Sequence, residues 1–201
     1  MGIVSESSNL GKGRIRFRMD DGKEFILYRG EARQFHLQDG SILTEEQEEQ
    51  LIYEVIGKRA RRRAMHLLEQ MDRTEQQLRD KLLQGGYPQE CVELALEYVK
   101  SYHYVDDYRY ACNYVSYRQD RMSRQLLKIK LTAKGVRRDL IDQVLEEVYE
   151  GDEQAQIKQL LQKRRFCVET ADQKEFQRTY QFLMRRGFRS SEVLHAMKSR
   201  Q

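Results

Sequence analysis

Basic side chains crowd into the middle of the sequence, between residues 109 and 138. This stretch holds nine cationic side chains and a single acidic one, Asp120. The nine are Arg109, Arg118, Arg121, Arg124, Lys128, Lys130, Lys134, Arg137 and Arg138. The whole chain has a formal net charge of only +4, so its positive charge is concentrated here. Because unopposed like charges repel one another, such a run is typical of a surface that binds an anionic partner.

Shorter basic runs lie on either side of this stretch. The predicted binding surface takes in five of their residues, which are Arg59, Arg62, Arg63, Arg164 and Arg165. A last pair follows at Arg185-Arg186, and for both C-terminal runs a solvated helix face is an equally good interpretation. Contacts of cations with phosphates position a protein on nucleic acid without reading the base sequence.

Tyrosines are interleaved with the basic residues of the middle stretch. They are Tyr104, Tyr108, Tyr110, Tyr114 and Tyr117. Tyr110, Ala111 and Tyr114 fall at the spacing of a helix face that packs on a core. We therefore interpret most of these tyrosines as packing residues rather than as platforms for base stacking.

No pattern in the sequence predicts catalysis or metal binding. The acidic pair Asp106-Asp107 opens a predicted helix, where carboxylates cap free amides, and residues 11–13 (Gly-Lys-Gly) lack the full phosphate-loop pattern. The histidines are scattered, at His36, His66, His103 and His195. The cysteines are far apart and form no close pair, which is typical of packing thiols in a reducing compartment, and they are Cys91, Cys112 and Cys167. We expect a protein that is not an enzyme and that has no metal or cofactor.

The composition favours long helices in a cytoplasmic protein. The chain is 39% hydrophobic and 34% charged, with one proline and no tryptophan. High charge with modest apolar content suits an elongated solenoid better than a compact globule. No window approaches the about 18 apolar residues of a membrane span, and the N-terminus lacks the pattern of a signal peptide.

The elements that must position the basic residues form an internal repeat. Three segments align without gaps around Gly86, Gly135 and Gly187, which are 49 and 52 residues apart. Apolar residues recur at fixed offsets from each glycine, namely Leu82, Leu131 and Leu183 four before it, Tyr87, Val136 and Phe188 one after it, and Val92, Ile141 and Val193 six after it. Each glycine is predicted to end a helix in the left-handed conformation. The helices that it ends are predicted to start at Thr74, at Ser123, and at either Thr170 or Asp172.

Each repeat also has a helix before this pair, at about residues 45–71, 106–120 and 152–165. The fold class is therefore mainly α, with three tandem three-helix repeats in an elongated curved array and a small N-terminal β-hairpin. Alternation around Asp20-Asp21-Gly22 predicts the hairpin. The predicted domains are a disordered N-terminus and hairpin at 1–43, followed by repeats at 44–102, 103–150 and 151–201.

These motifs resemble the RecX family of RecA regulators over most of the chain, from about Thr44 onwards. Residues 106–111 (DDYRYA) are similar to the opening of the family's second repeat. Residues 131–136 (LTAKGV) and 183–188 (LMRRGF) are similar to its helix ends. The sequence departs from the family pattern at Met122-Ser123, where members often have glycine.

The resemblance implies a regulator, typically an inhibitor, of the RecA recombinase in homologous recombination and DNA repair. Family members are thought to lie in the groove of the RecA filament on single-stranded DNA and to depress ATP hydrolysis, strand exchange and coprotease function. The expected partners are thus RecA and single-stranded DNA, with duplex DNA as a further candidate, and the chain is expected to be a monomer. The residues alone leave two alternatives.

One alternative is a free-standing protein that contacts DNA phosphates without RecA. Against it, no helix offers an obvious set of Asn, Gln and Arg at base-reading positions. The other alternative is a purely structural helical scaffold. The basic residues of the second repeat would then be a solvated surface with no partner.

Overall fold

A computed structural model describes residues 2–199 of the 201-residue chain. Met1, Arg200 and Gln201, which the predicted domain limits include, lie outside the described residues. The chain divides into two compact units, Met1–Asp106 and Asp107–Gln201. The first unit holds a β-sheet and the first three-helix repeat, and the second unit holds the other two repeats.

The N-terminal sheet has four antiparallel strands in the order β3-β2-β1-β4. The strands are β1 (Gly2–Gly11), β2 (Arg14–Met19), β3 (Glu24–Tyr28) and β4 (Ile42–Leu43). β2 and β3 form the predicted hairpin, in which Phe17 lies opposite Phe25. Both rings are buried and stack with their centroids 5.9 Å apart.

The prediction of a disordered N-terminus is wrong for Gly2–Gly11, which forms β1. Their side chains are mostly polar, and Val4 is the one residue of this strand that is buried. The strand is held instead by backbone pairing, because it lies between β2 and β4 in the sheet. Pairing of this kind depends on neighbouring strands and leaves little trace in the local pattern of side chains.

The first repeat begins at a capping box formed by Thr44 and Gln47. The Thr44 hydroxyl accepts a hydrogen bond from the Gln47 amide at 3.2 Å, and the Gln47 side chain accepts one from the Thr44 amide at 3.0 Å. Residues 50–57 then wind as a wider π-helix that continues into α3. The helices of this unit are α1 (Arg29–Gln34), α2 (Glu45–Glu49), α3 (Lys58–Gln70), α4 (Glu75–Gln84) and α5 (Gln89–Ser101).

The described part of the second unit, up to residue 199, contains six helices in two successive triplets. They are α6 (Asp107–Arg118), α7 (Arg124–Thr132), α8 (Arg138–Glu147), α9 (Glu153–Lys163), α10 (Gln173–Met184) and α11 (Ser190–Lys198). The Ser123 hydroxyl caps α7 by accepting from the Leu126 amide at 3.1 Å. The third repeat had two candidate caps, and Asp172 is the residue that caps α10, through the Glu175 amide at 2.6 Å. The predicted starts of the three glycine-ended helices are therefore confirmed. Of the two candidates in the third repeat, Asp172 is the cap and Thr170 is not.

The three repeat glycines end their helices as predicted. Gly86, Gly135 and Gly187 have φ values of 80°, 83° and 81°, in the left-handed region that glycine adopts without strain. In the first two repeats the next amide closes the helix end by bonding back five residues, from Tyr87 to the Leu82 carbonyl at 3.4 Å and from Val136 to Leu131 at 3.2 Å.

Each repeat buries its own apolar cluster. The second repeat packs Ala111, Val115, Leu127, Leu131 and Ile141, and the third packs Ile157, Leu161, Leu183, Phe188 and Val193. The cluster of the first repeat is continuous with the buried face of the sheet. The mainly helical fold with three three-helix repeats and an N-terminal antiparallel sheet is thus confirmed. None of the helices among residues 2–199 has the length and apolar character that crossing a membrane requires.

Candidate cationic binding surface

The predicted binding residues have different surroundings in the structure. Some are engaged by acidic groups of the same unit, some lie over aromatic rings, and others are exposed without an ion pair. The difference decides which of them keep a positive charge available to a partner, because a carboxylate within 4 Å already neutralises much of the field of a cation.

Arg59 is a packing residue of the first unit. Its guanidinium lies 2.5 Å from the Glu31 carboxylate and donates to the Ile26 carbonyl at 2.5 Å, so it ties α3 to the end of the sheet. The same guanidinium lies over the rings of Tyr28 and Tyr87, at 5.0 and 5.7 Å from their centroids. The sequence grouped Arg59 with Arg62 and Arg63, but only those two are exposed.

Lys128 is also engaged within its own repeat. Its ammonium group forms an ion pair with Asp142, which joins α7 to α8. The hydrogen bond from Lys128 lowers the pKa of Asp142 below its ordinary value, and although burial opposes this shift, the charges of Lys128, Arg138 and Arg124 add to it. Lys128 therefore stabilises the second repeat.

The equivalent positions of the first repeat carry the same ion pair. Arg79 and Glu93, each 49 residues before Lys128 and Asp142, are paired between α4 and α5. The first two repeats therefore share an ion pair between their second and third helices, in addition to a similar backbone and core. The third repeat replaces this contact by a hydrogen bond between the hydroxyls of Tyr180 and Ser190, 2.9 Å apart.

Two further predicted residues lie over aromatic rings. The Arg118 guanidinium is 4.1 Å from the centroid of Tyr114, and the Lys134 ammonium is 5.3 Å from the same ring and 5.8 Å from Tyr110. Tyr110 and Tyr114 stack on each other and pack with the core, as the sequence predicted. The wider interpretation that most of the interleaved tyrosines are packing residues is wrong, because three of the five are exposed, namely Tyr104, Tyr108 and Tyr117.

The remaining cations of the second unit are exposed. Within residues 2–199, four of the predicted residues there are exposed and have no ion pair with a carboxylate, namely Arg121, Arg124, Lys130 and Arg138. Arg165 is exposed in the same way, at the left-handed position that ends α9. Arg109 is exposed, and Arg137 forms an ion pair with the exposed Asp139, at 3.1 Å.

Arg121, Arg124 and Lys128 have the sequence spacing of one stripe on a helix, but the structure does not place all three on one helix. The helix α7 starts at Arg124, after its cap at Ser123, and Arg121 lies in the preceding turn. Only Arg124 and Lys128 share a helix face. Arg121 instead lies in the turn before Ser123, and its positive charge contributes to lowering the pKa of Arg186.

The sequence did not show that basic residues of the third repeat form a cluster around an aromatic ring. The guanidiniums of Arg164 and Arg186 lie over the ring of Phe182, at 4.4 and 3.6 Å from its centroid. Burial lowers the pKa of Arg186, and the positive charges of Arg164, Arg185 and Arg121 lower it further. The sequence shows the pair Arg185-Arg186, but not that Arg164 lies over the same ring as Arg186.

No group of three or more His, Cys, Asp or Glu side chains between residues 2 and 199 could hold a metal ion. A mixed-charge cleft lies between α7, α8 and the third repeat, with a volume of about 580 Å³. It is lined by Arg124, Lys128 and Arg189 together with Asp142, Asp152, Glu153 and Glu192, so side chains of both signs line it. The cysteines range from buried Cys91 to exposed Cys167.

Known proteins are similar to this chain over all three of its helical repeats. Three profiles match it in order, described as the first, second and third three-helix domains of RecX, at residues 60–98, 106–145 and 151–197. The regulatory protein RecX of Actinobacillus pleuropneumoniae is 34% identical over 134 residues, which is 66% of this chain and 87% of that protein. The regulatory protein RecX of Caldanaerobacter subterraneus is 29% identical over 80% of both chains. A solved crystal structure of regulatory protein RecX has 25% identity and a TM-score of 0.59, and the match covers 99% of this chain and all of that one.

Proposed function

Since the chain belongs to the RecX family of regulatory proteins, we propose that it regulates the RecA recombinase by binding the RecA filament on single-stranded DNA. In this proposal binding depresses ATP hydrolysis, strand exchange and coprotease function. The exposed cations of the second repeat contact phosphates and acidic groups of the filament. The chain acts in the cytoplasm, as a monomer and without a cofactor.

The observation that carries the proposal is the set of exposed cations on the second repeat. Arg124, Lys130 and Arg138 are exposed, and within the described part of the chain none of them has an ion pair. Lys128 and Arg118 contribute differently, since one is paired with Asp142 and the other lies over Tyr114. The three exposed residues keep both their charge and their hydrogen-bond donors available to an anionic partner.

The test is inhibition of the ATPase activity of RecA on single-stranded DNA. We expect the parent chain to inhibit, and the variant Arg124→Ala/Lys130→Ala/Arg138→Ala to need about tenfold more protein for half-inhibition, because three exposed charge contacts of about 0.5 kcal/mol each amount to that factor. In an assay of RecA strand exchange, the variant should likewise inhibit less strongly than the parent chain.

A matched control removes the same charge elsewhere. The variant Arg29→Ala/Arg33→Ala/Lys81→Ala changes three exposed residues of the first unit that lie outside the predicted surface. It should inhibit like the parent. Equal losses in the two variants would refute the assigned surface, and a parent chain that leaves the ATPase unchanged would refute the proposed function.

A further inference from the structure

The exposed face of α10 is built from amide and cationic side chains. We call this surface the α10 face, and its residues are Gln173, Lys174, Gln177, Arg178, Gln181 and Arg185. With Arg164 and Phe182 they line a cleft with a volume of about 760 Å³. No acidic residue is among the described residues that line this cleft, unlike the mixed-charge cleft beside α7.

Two arginines at one end of this face are fixed without being neutralised. Arg164 and Arg186 both lie over the Phe182 ring, and Arg186 also donates to the Phe182 carbonyl at 3.2 Å. An aromatic ring orients a guanidinium but has no formal charge to cancel it. The Nε atom of Arg186 is buried and has no hydrogen-bond partner. Within residues 2–199 neither guanidinium has an ion pair with a carboxylate.

Like charges are thus held together at this end of the face. The positive charges of Arg164, Arg185 and Arg121 are close enough to Arg186 to lower its pKa, after the larger effect of burial. Mutual repulsion of this kind is relieved when an anion binds among the cations. The cluster is therefore arranged for an anionic ligand that the chain itself does not supply.

The side chains of α10 extend this cluster into a row. Three glutamines follow one another at intervals of four residues, at Gln173, Gln177 and Gln181. Two cations have the same spacing, at Lys174 and Arg178. Residues four apart on a helix are neighbours on its surface, and the row from residue 173 to residue 185 is about 18 Å long. An elongated ligand with repeated charges fits such a row better than a single small anion does.

The row exists because α10 is longer than its counterparts. Its cap, Asp172, lies 15 residues before Gly187, whereas Thr74 and Ser123 each lie 12 residues before their glycines. The additional turn carries Gln173 and Lys174. The sequence showed no obvious set of Asn, Gln and Arg at base-reading positions of a helix, whereas α10 carries glutamine and arginine on one exposed face.

From these features we infer that the α10 face binds a single strand of nucleic acid. Its cations and the Arg164 and Arg186 pair contact phosphates, and its glutamines bond to base or sugar groups. A glutamine amide both donates and accepts hydrogen bonds, as the edges of bases do, whereas a carboxylate of an acidic peptide can only accept. The glutamines therefore favour nucleic acid over an acidic protein segment. This site does not depend on RecA.

The test measures binding of the full chain to a fluorescein-labelled 15-nucleotide oligo(dT) by anisotropy, at several salt concentrations and with no RecA present. The variant Lys174→Ala/Arg178→Ala/Arg185→Ala should raise the Kd about tenfold or more. Its salt slope should fall by about 2, because each lost phosphate contact on a single strand removes about 0.7 from the slope. The variant Gln177→Ala/Gln181→Ala should raise the Kd without changing the slope.

The control removes the same charge from other helices of the third repeat. Lys158, Lys163 and Lys198 are exposed on α9 and α11, and Lys158→Ala/Lys163→Ala/Lys198→Ala should bind like the parent. Equal weakening of the two triple variants would overturn the inference, since binding would then follow net charge. It would also be overturned if a poly-glutamate peptide bound the parent as tightly as oligo(dT) and depended on the same residues. Thermal unfolding of each variant shows that the fold is kept.

Discussion

The ion pair between Lys128 and Asp142 makes the stability of the second repeat depend on pH. Asp142 has a lowered pKa because Lys128 donates a hydrogen bond to it, and Arg138 and Arg124 add positive charge nearby. A carboxyl group whose pKa is lower in the folded than in the unfolded state stabilises the fold above its unfolded pKa of about 3.9. That contribution is lost as the pH falls through the lower, folded pKa.

The substitution Asp142→Asn should therefore destabilise the chain at pH 7, and less so as the pH is lowered from about 5 towards 3 and below. Urea unfolding followed by circular dichroism at each pH measures the difference between variant and parent. Asp120→Asn is the control, since Asp120 is exposed and has no ion pair among residues 2–199. A destabilisation by Asp142→Asn that is the same at pH 7 and pH 3 would contradict the assignment.

Residue types alone showed where the cations are but not which of them are engaged. Arg59 and Arg62 look alike in the sequence, yet Arg59 is neutralised by Glu31, 28 residues earlier. The partner of Lys128 comes from the next helix. Because these acids belong to other elements, only the fold shows which cations of the binding surface are neutralised.

At the scale of elements, Ser123 connects the second and third repeats. Its hydroxyl caps α7 and also donates to the Gly187 carbonyl at 2.7 Å, and its amide donates to the Arg186 carbonyl at 3.0 Å. Ser123 is fully buried. A glycine at this position could make only the backbone contact, so the serine adds a side-chain link between a helix start and a helix end.

Replacing Ser123 by alanine should lower the free energy of unfolding by about 2 kcal/mol, of which about 1 is the lost cap and about 1 is the buried Gly187 carbonyl left without its donor. Asp172→Ala is the matched control, because Asp172 is an exposed cap of α10, and it should lose only about 1 kcal/mol. Denaturant unfolding of the two variants gives the comparison. Equal losses would show that the contact with Gly187 contributes nothing.

The helical elements were predictable because their signals are local. The glycines at helix ends and the capping residues Thr74 and Ser123 act within one turn of their own position. The N-terminal strand β1 and the short helix α1 were not predicted, since β1 is polar and is held by its neighbours, and α1 has only six residues. The wider π-helical turns at residues 50–57 likewise left no signal in the sequence.

At the scale of the whole molecule, positive charge is exposed on more than one repeat. The second repeat presents Arg124, Lys130 and Arg138, and the third presents the α10 face. The proposed partner, a RecA filament on single-stranded DNA, offers both protein and phosphate. A protein that contacts both should bind the filament more tightly than it binds bare DNA.

The most direct test measures the Kd of the chain for one labelled single-stranded oligonucleotide, bare and coated with RecA, at two salt concentrations. We expect the coated strand to bind at least about tenfold more tightly at each salt concentration, because it offers contacts with RecA in addition to contacts with the strand, whose phosphate contacts weaken steeply with salt. Equal or tighter binding to the bare strand would contradict the account and identify the chain as a nucleic-acid-binding protein that acts without RecA.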